Sequence, residues 1–188
     1  MCYKNSGIEE AVKKSGGEIF HVEEKNKNKW IETDLKGNVL KRWPIYEDLL
    51  KCDSLINIPI AKHHGSSRLT LGMKNWMGVI GGNRGVFHQN MHQCIADLAT
   101  AIKPNLVIVD AIRILVAHGP KGGNLSDVKE LNTIIAGTDQ VAVDSYACTL
   151  FGYEGKNIDY IQFAYDLKVG EIDLTKLTPD VRSLDEMR

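Results

Sequence analysis

Nothing in this chain gathers its cysteines. The four, Cys2, Cys52, Cys94 and Cys148, are scattered, with no CxxC pair and no regular framework. That excludes a disulfide scaffold and an iron–sulfur cluster held by a local run of thiolates. Cys52, Cys94 and Cys148 sit in apolar surroundings, where a reduced thiol packs as a small hydrophobe. The chain also lacks an apolar run of membrane-spanning length and a signal-peptide core near its start. A cytoplasmic protein without a membrane partner is the expectation. Charge of one sign is missing too: 23 basic residues face 24 acidic ones, a formal net charge of −1. No whole-molecule field is left to hold a nucleic acid, and basic residues are not interleaved with aromatics. There is no GxGxxG, no GxxxxGK(S/T) spacing and no serine in a nucleophile-elbow setting. The dinucleotide, P-loop and acyl-transfer motifs are therefore absent.

What is present reads as one α/β domain over residues 1–188, long enough for a sizeable core. A helix is expected over 6–15, with Ser6 as N-cap and Gly16-Gly17 as its stop, then a short strand at 18–22. Lys25, Lys27 and Lys29 lie among Asn and Glu and read as a solvated loop. WIETDL and VLKRW around Lys36-Gly37-Asn38 predict a β-hairpin, and Pro44 would open a short helix. SLINIPI (54–60) predicts a strand buried on both faces. A short helix or lid follows over 70–80, and the spacing of Phe87, Met91, Ile95, Leu98 and Ile102 predicts a helix from 86 to 102. NLVIVDAI (105–112) reads as a strand terminating in Asp110, and NTIIAG (132–137) as a third. Thr138 or Asp139 would cap the next helix; a last one spans about 157–168, before a polar tail at about 170–188. Strands alternating with helices argue for a mostly parallel sheet flanked by helices. A chain that opens on a helix and a strand reads as one that begins mid-unit, so an N-terminal truncation is expected.

The densest chemistry lies between Asn57 and His92, which holds four of the six histidines. Lys62 and His64 follow a strand, where ligands of open α/β sheets bind, and alternate residues of extended backbone point the same way. With Lys74 and Arg84 they would form a pocket for a carboxylate or phosphate, and a lysine of lowered pKa there could serve as acid or base. The alternative is a solvated KHH loop. His88 and His92 share one helix face, at metal-ligand spacing or as a helix-border pair. The glycine-rich turn before His88 would suit an anion. Asp110, at its strand end, would bind a metal, orient a histidine or cap a turn. GPKGG at 119–123 is rejected as a P-loop. Asp144, between Val143 and Tyr146, is a carboxylate that wants a partner.

These segments resemble one known family. NIPIAKHHGSSRLTLGMKNWMGVI, RGVFH, IADLATAIKPNLVIVDAI, GPKGG and AGTDQVAVDSYACTLFG occur in the order of the family of domain of unknown function number 362. The likeness covers about residues 6–155. Lys62 and His64, Lys74 and Asn75, Arg84 with His88, Asp110, Gly119-Pro120, Asp139 and Asp144 match its recurrent positions. The resemblance implies no settled reaction. Many members carry an iron–sulfur label through a cysteine motif that this chain lacks, and an upstream α/β portion is usual; Ala117 and His118 also depart from the pattern.

The expected site has Lys62 and Lys74 as catalytic groups, and Arg84, Asn75 and Asp144 as ligand-binding groups. His64, His88 and Asp110 would hold a divalent metal, with zinc, iron or nickel suited to the mixed nitrogen and oxygen set. The ligand would be a small anionic molecule. In the second reading the same loop docks a ferredoxin or another subunit beside an exposed Trp76 and Met77.

Overall fold

The computed structural model of the chain describes residues 2–22, 27–120, 123–183 and 186, with the side chains of Cys2, Lys27 and Arg84 left aside. Lys25 of the basic loop, Lys121 and Gly122 of the GPKGG turn, and part of the polar tail lie outside the described residues. In chain order the strands are β1 (Trp30–Asp34), β2 (Arg42–Tyr46), β3 (Ile56–Asn57), β4 (Ile60–His64), β5 (Arg68–Thr70), β6 (Leu106–Leu115) and β7 (Val128–Gly137). The helices are α1 (Cys2–Asn5), α2 (Ile8–Lys14), α3 (Glu47–Lys51), α4 (Gly72–Asn75), α5 (Arg84–Gln89), α6 (Met91–Ala99), α7 (Gln140–Thr149) and α8 (Asp159–Asp166).

The fold is α/β. Its main sheet is organised around β6, which runs parallel to β3 and β4 on one side. The sheet's outer partners are antiparallel: β7 on the other side of β6, and β5 beyond β4. The ladder slips past Ala111, where Asn132 takes a positive φ of 50° that Asn tolerates better than most residues. Helices α6, α7 and α8 pack together over one face of the sheet. Their core includes Ile95, Leu98, Val141, Ala147 and Ile161 against Val107, Val109 and Ala111. The predicted hairpin forms, with Trp30 opposite Tyr46 and Asp34 opposite Arg42.

A buried carboxylate fastens that hairpin to the helices. Asp97 of α6 accepts the N–H groups of Asn38, Val39 and Leu40 at 2.7–2.8 Å, and the Gln93 amide at 2.8 Å. A Cβ at Gly37 would lie 2.3 Å from the Asp97 carboxyl carbon, so this approach requires glycine.

Several expected elements differ. Residues 18–22 form no strand; Phe20 is exposed and has no neighbouring strand to pair with. Pro44 lies inside β2, opposite Glu32, and α3 starts only at Glu47; a two-stranded ribbon tolerates the missing N–H. The 54–60 strand is broken around Ile58-Pro59 and covered on one face only: Asn57 and Ala61 are buried, while Ile56, Ile58 and Ile60 face solvent. The 86–102 helix is interrupted at Asn90. Strand β6 passes through Asp110 and continues to Leu115. The α2 N-cap is Gly7 in the left-handed region, not Ser6. Cys94 and Cys148 are buried as expected, but Cys52 is exposed.

Candidate functional site

The short helix α4 has little intrinsic stability, so its position must be imposed from outside. Asp144 of α7 imposes it. Its Oδ1 and Oδ2 accept the N–H groups of Gly72 at 2.7 Å and Met73 at 2.9 Å, satisfying two donors that the helix start leaves open. Asn57 of β3, buried beneath, donates to the Gly72 carbonyl at 2.8 Å and accepts from the Asn75 amide at 2.8 Å. Trp76 donates through Nε1 to Gln140 at 3.0 Å, and Gln140 reaches the Ala99 and Ile102 carbonyls. A Cβ at Gly72 would stand 2.7 Å from Asp144 Oδ1, so glycine is needed for the carboxyl to close on the helix. Burial raises the Asp144 carboxyl to about 7, against the two N–H groups that lower it.

The residue so positioned is Lys74. Its side chain is buried, 8% exposed, and among the described residues its ammonium has only the Met77 sulfur at 3.5 Å as a partner. Burial, and then the charge of Lys62, lower its pKa to about 8. Lys62, expected just past a strand end, lies in the middle of β4 and is half-buried. His64 completes the group: burial first, then Lys74 and Lys62, with His63 and His88 adding, hold its pKa at about 4. Its imidazole is therefore neutral near pH 7. Nδ1 accepts from Ser66 N–H at 3.2 Å and Ser67 N–H at 3.3 Å, which leaves the proton on Nε2. Two amines and an N–H donor thus lie within Coulombic reach of one another, with no carboxylate among the groups that perturb Lys74.

The structure therefore brings Lys62, His64 and Lys74 together, with the exposed His88 near enough to act on His64. Asn75 and Asp144 act on α4 itself. Asp139 caps α7, as expected, through Val141 N–H at 2.8 Å. The backbone of Arg84 opens α5, but its side chain lies outside the described residues. The glycine-rich turn ends on Asn83, whose side chain takes up the Gly85 N–H at 2.9 Å. His92 is part of the packing, stacked on Tyr160 and bonded to the Ser66 carbonyl at 3.2 Å.

Asp110 stands apart. It pairs with Ile60 in mid-strand, four residues and about 13 Å along β4 from His64. Among the described residues no group of three or more His, Cys, Asp or Glu is placed to hold a metal ion. The chemistry of His64 agrees, because a ligating imidazole ordinarily donates its second ring N–H, whereas Nδ1 here accepts two. Among the described residues, the structure does not gather His64, His88 and Asp110 into one site. Trp76, expected to be exposed, is buried, so it offers no aromatic anchor for a docked subunit. No helix among the described residues is long and apolar enough to cross a membrane. A cavity of about 410 Å³ is lined by Tyr165, Asp166, Lys168 and Gly170, away from these residues.

Asn57 and Gln140 were missed by the sequence reading. Asn57 left a signal, since it interrupts an otherwise apolar run. Gln140 left none.

The chain belongs to the family described as Domain of unknown function (DUF362), whose profile matches residues 1–149. It is 28% identical over 106 residues to the thylakoid-associated protein sll1697 of Synechocystis. That match covers 52% of this chain and 32% of the relative, so the chain spans about a third of that protein's length. No solved structure matches the chain.

Proposed function

We propose that this member of the DUF362 family binds a small anion, a phosphate or carboxylate, between Lys62, Lys74 and the Nε2–H of His64. The observation that supports the reading is the buried Lys74 amine, which meets no carboxylate among the described residues. A buried cation without a counter-charge is costly, and a bound anion would supply the missing partner. His64, neutral near pH 7, would donate a hydrogen bond without adding charge, and Lys62 would add a second cation. Lys74 is also the group suited to move a proton to or from the ligand near neutral pH.

Calorimetric titration with inorganic phosphate tests this. At pH 7 the wild-type chain should bind phosphate, and Lys74→Met should bind at least tenfold more weakly. Affinity should fall as pH rises through about 8, where the amine loses its proton. Equal binding by the two proteins, or none by the wild type, would overturn the reading.

A further inference from the structure

The sheet has a second face that no helix among the described residues covers. Cross-strand partners project to the same side, and Ile60, Asp110 and Ile134 are such partners across β4, β6 and β7. Residues two apart on a strand share that side, so Ile108 and Ile112 extend the row along β6, with Ile56 on β3 and the exposed Ile58 between β3 and β4 beside it. Ile58 and Ile134 are 64% and 63% exposed, and Ile56, Ile60 and Ile112 are exposed too. Alternate residues behind them, Asn57, Ala61, Val107, Val109, Ala111 and Ile135, are buried. The face is a contiguous field of isoleucine, of the kind that marks an interaction site on a water-soluble surface.

Two observations narrow the occupant. The parallel pairings of β6 with β3 and β4 run under this field, and parallel pairings are ordinarily covered by helices on both faces, whereas the antiparallel β7 edge can stand in water. Asp110 then sits in the middle of the isoleucines, half-buried, with Oδ1 taken by the Ile112 N–H at 3.0 Å. A carboxylate enclosed by an arriving apolar surface is costly unless it is paired, and a cation opposite is the partner that offsets most of that cost. A second copy stacked on a two-fold axis through this point would instead oppose two carboxylates.

We infer that the Ile58–Asp110–Ile134 face is a docking surface for an amphipathic helix of a partner polypeptide carrying one Lys or Arg within its apolar stripe, opposite Asp110. The helix supplies the second layer of the sheet, and the ion pair sets its register.

Isoleucine-methyl NMR with synthetic peptides tests this. One probe is a Leu/Ala-striped helical peptide with a single lysine in mid-stripe; the other carries glutamate in its place. The lysine peptide should shift the methyls of Ile58, Ile60, Ile112 and Ile134, leave buried Ile95 unmoved, and bind at least fivefold more tightly than the glutamate peptide. Asp110→Asn should erase that preference while keeping the shifts. Ile58→Ser with Ile134→Ser, both at exposed positions, should weaken binding at least tenfold with the Ile95 signal unchanged. Shifts elsewhere, equal affinity of the two peptides for the wild type, or concentration-dependent self-association through these isoleucines would overturn the inference.

Discussion

Two buried aspartates hold two different parts of this molecule, and they do so on unequal terms. Asp97 receives four N–H donors, three from the backbone of the hairpin loop and one from Gln93. Asp144 receives two, from the first residues of α4. Both are fully buried. A carboxylate surrounded by donors is a firm latch, because the fold supplies nearly everything that water did. One with half as many donors is a softer hold, and its carboxyl is driven toward the neutral form. The firm latch fastens a structural ribbon. The softer one carries the helix that presents Lys74, so the candidate site rests on the more easily perturbed of the two.

Removing the firm latch should have the largest effect. Asp97→Ala leaves three loop N–H groups without their acceptor and should lower unfolding free energy by about 5 kcal/mol in urea denaturation. A loss under about 2 kcal/mol would mean that the loop finds other acceptors, and the contrast would collapse. The pH dependence of Asp144 comes next. Its folded pKa of about 7 lies above the ordinary 3.8, so the folded chain holds the proton more tightly. Its contribution is fully present below about pH 4 and is lost as pH rises through 7, amounting to about 4 kcal/mol. Asp144→Asn should flatten that window in denaturation measured from pH 4 to 8. Unchanged curvature would show that other groups set it. Trp76→Phe should have the smallest effect. It removes the indole N–H from Gln140 and leaves a buried amide oxygen short of a donor, for a loss of about 1–2 kcal/mol. Phosphate affinity should weaken with it if α4 must be held rigid, and stay constant if Asp144 alone suffices.

Much of the contrast was legible before the fold was known. The need of Asp144 for a partner followed from its place between Val143 and Tyr146. Lys62, His64 and Lys74 were singled out by their density around a strand end, and the structure gathers them. Asp97 escaped notice because its partners are backbone amides almost 60 residues away, and amides leave no mark in composition. Asp110 misled because a mid-strand carboxylate looks like a strand-end one when the boundary is read from hydropathy. Ile112, Ile114 and Leu115 continue β6 past it, with Ile112 on the uncovered face and Ile114 in the core.

The sequence by itself determined the hairpin, the α/β class, the family, and the residue types that crowd β4 and the turn after it. The family came from the resemblance of whole segments; the rest follows from local periodicity and spacing, which each segment carries alone. Among the described residues, tertiary structure decided which face of the sheet is uncovered, which aspartate holds which element, and that Lys74 meets no counter-charge. Those depend on distant chain segments meeting, and on how much water each meeting removes from a charged group.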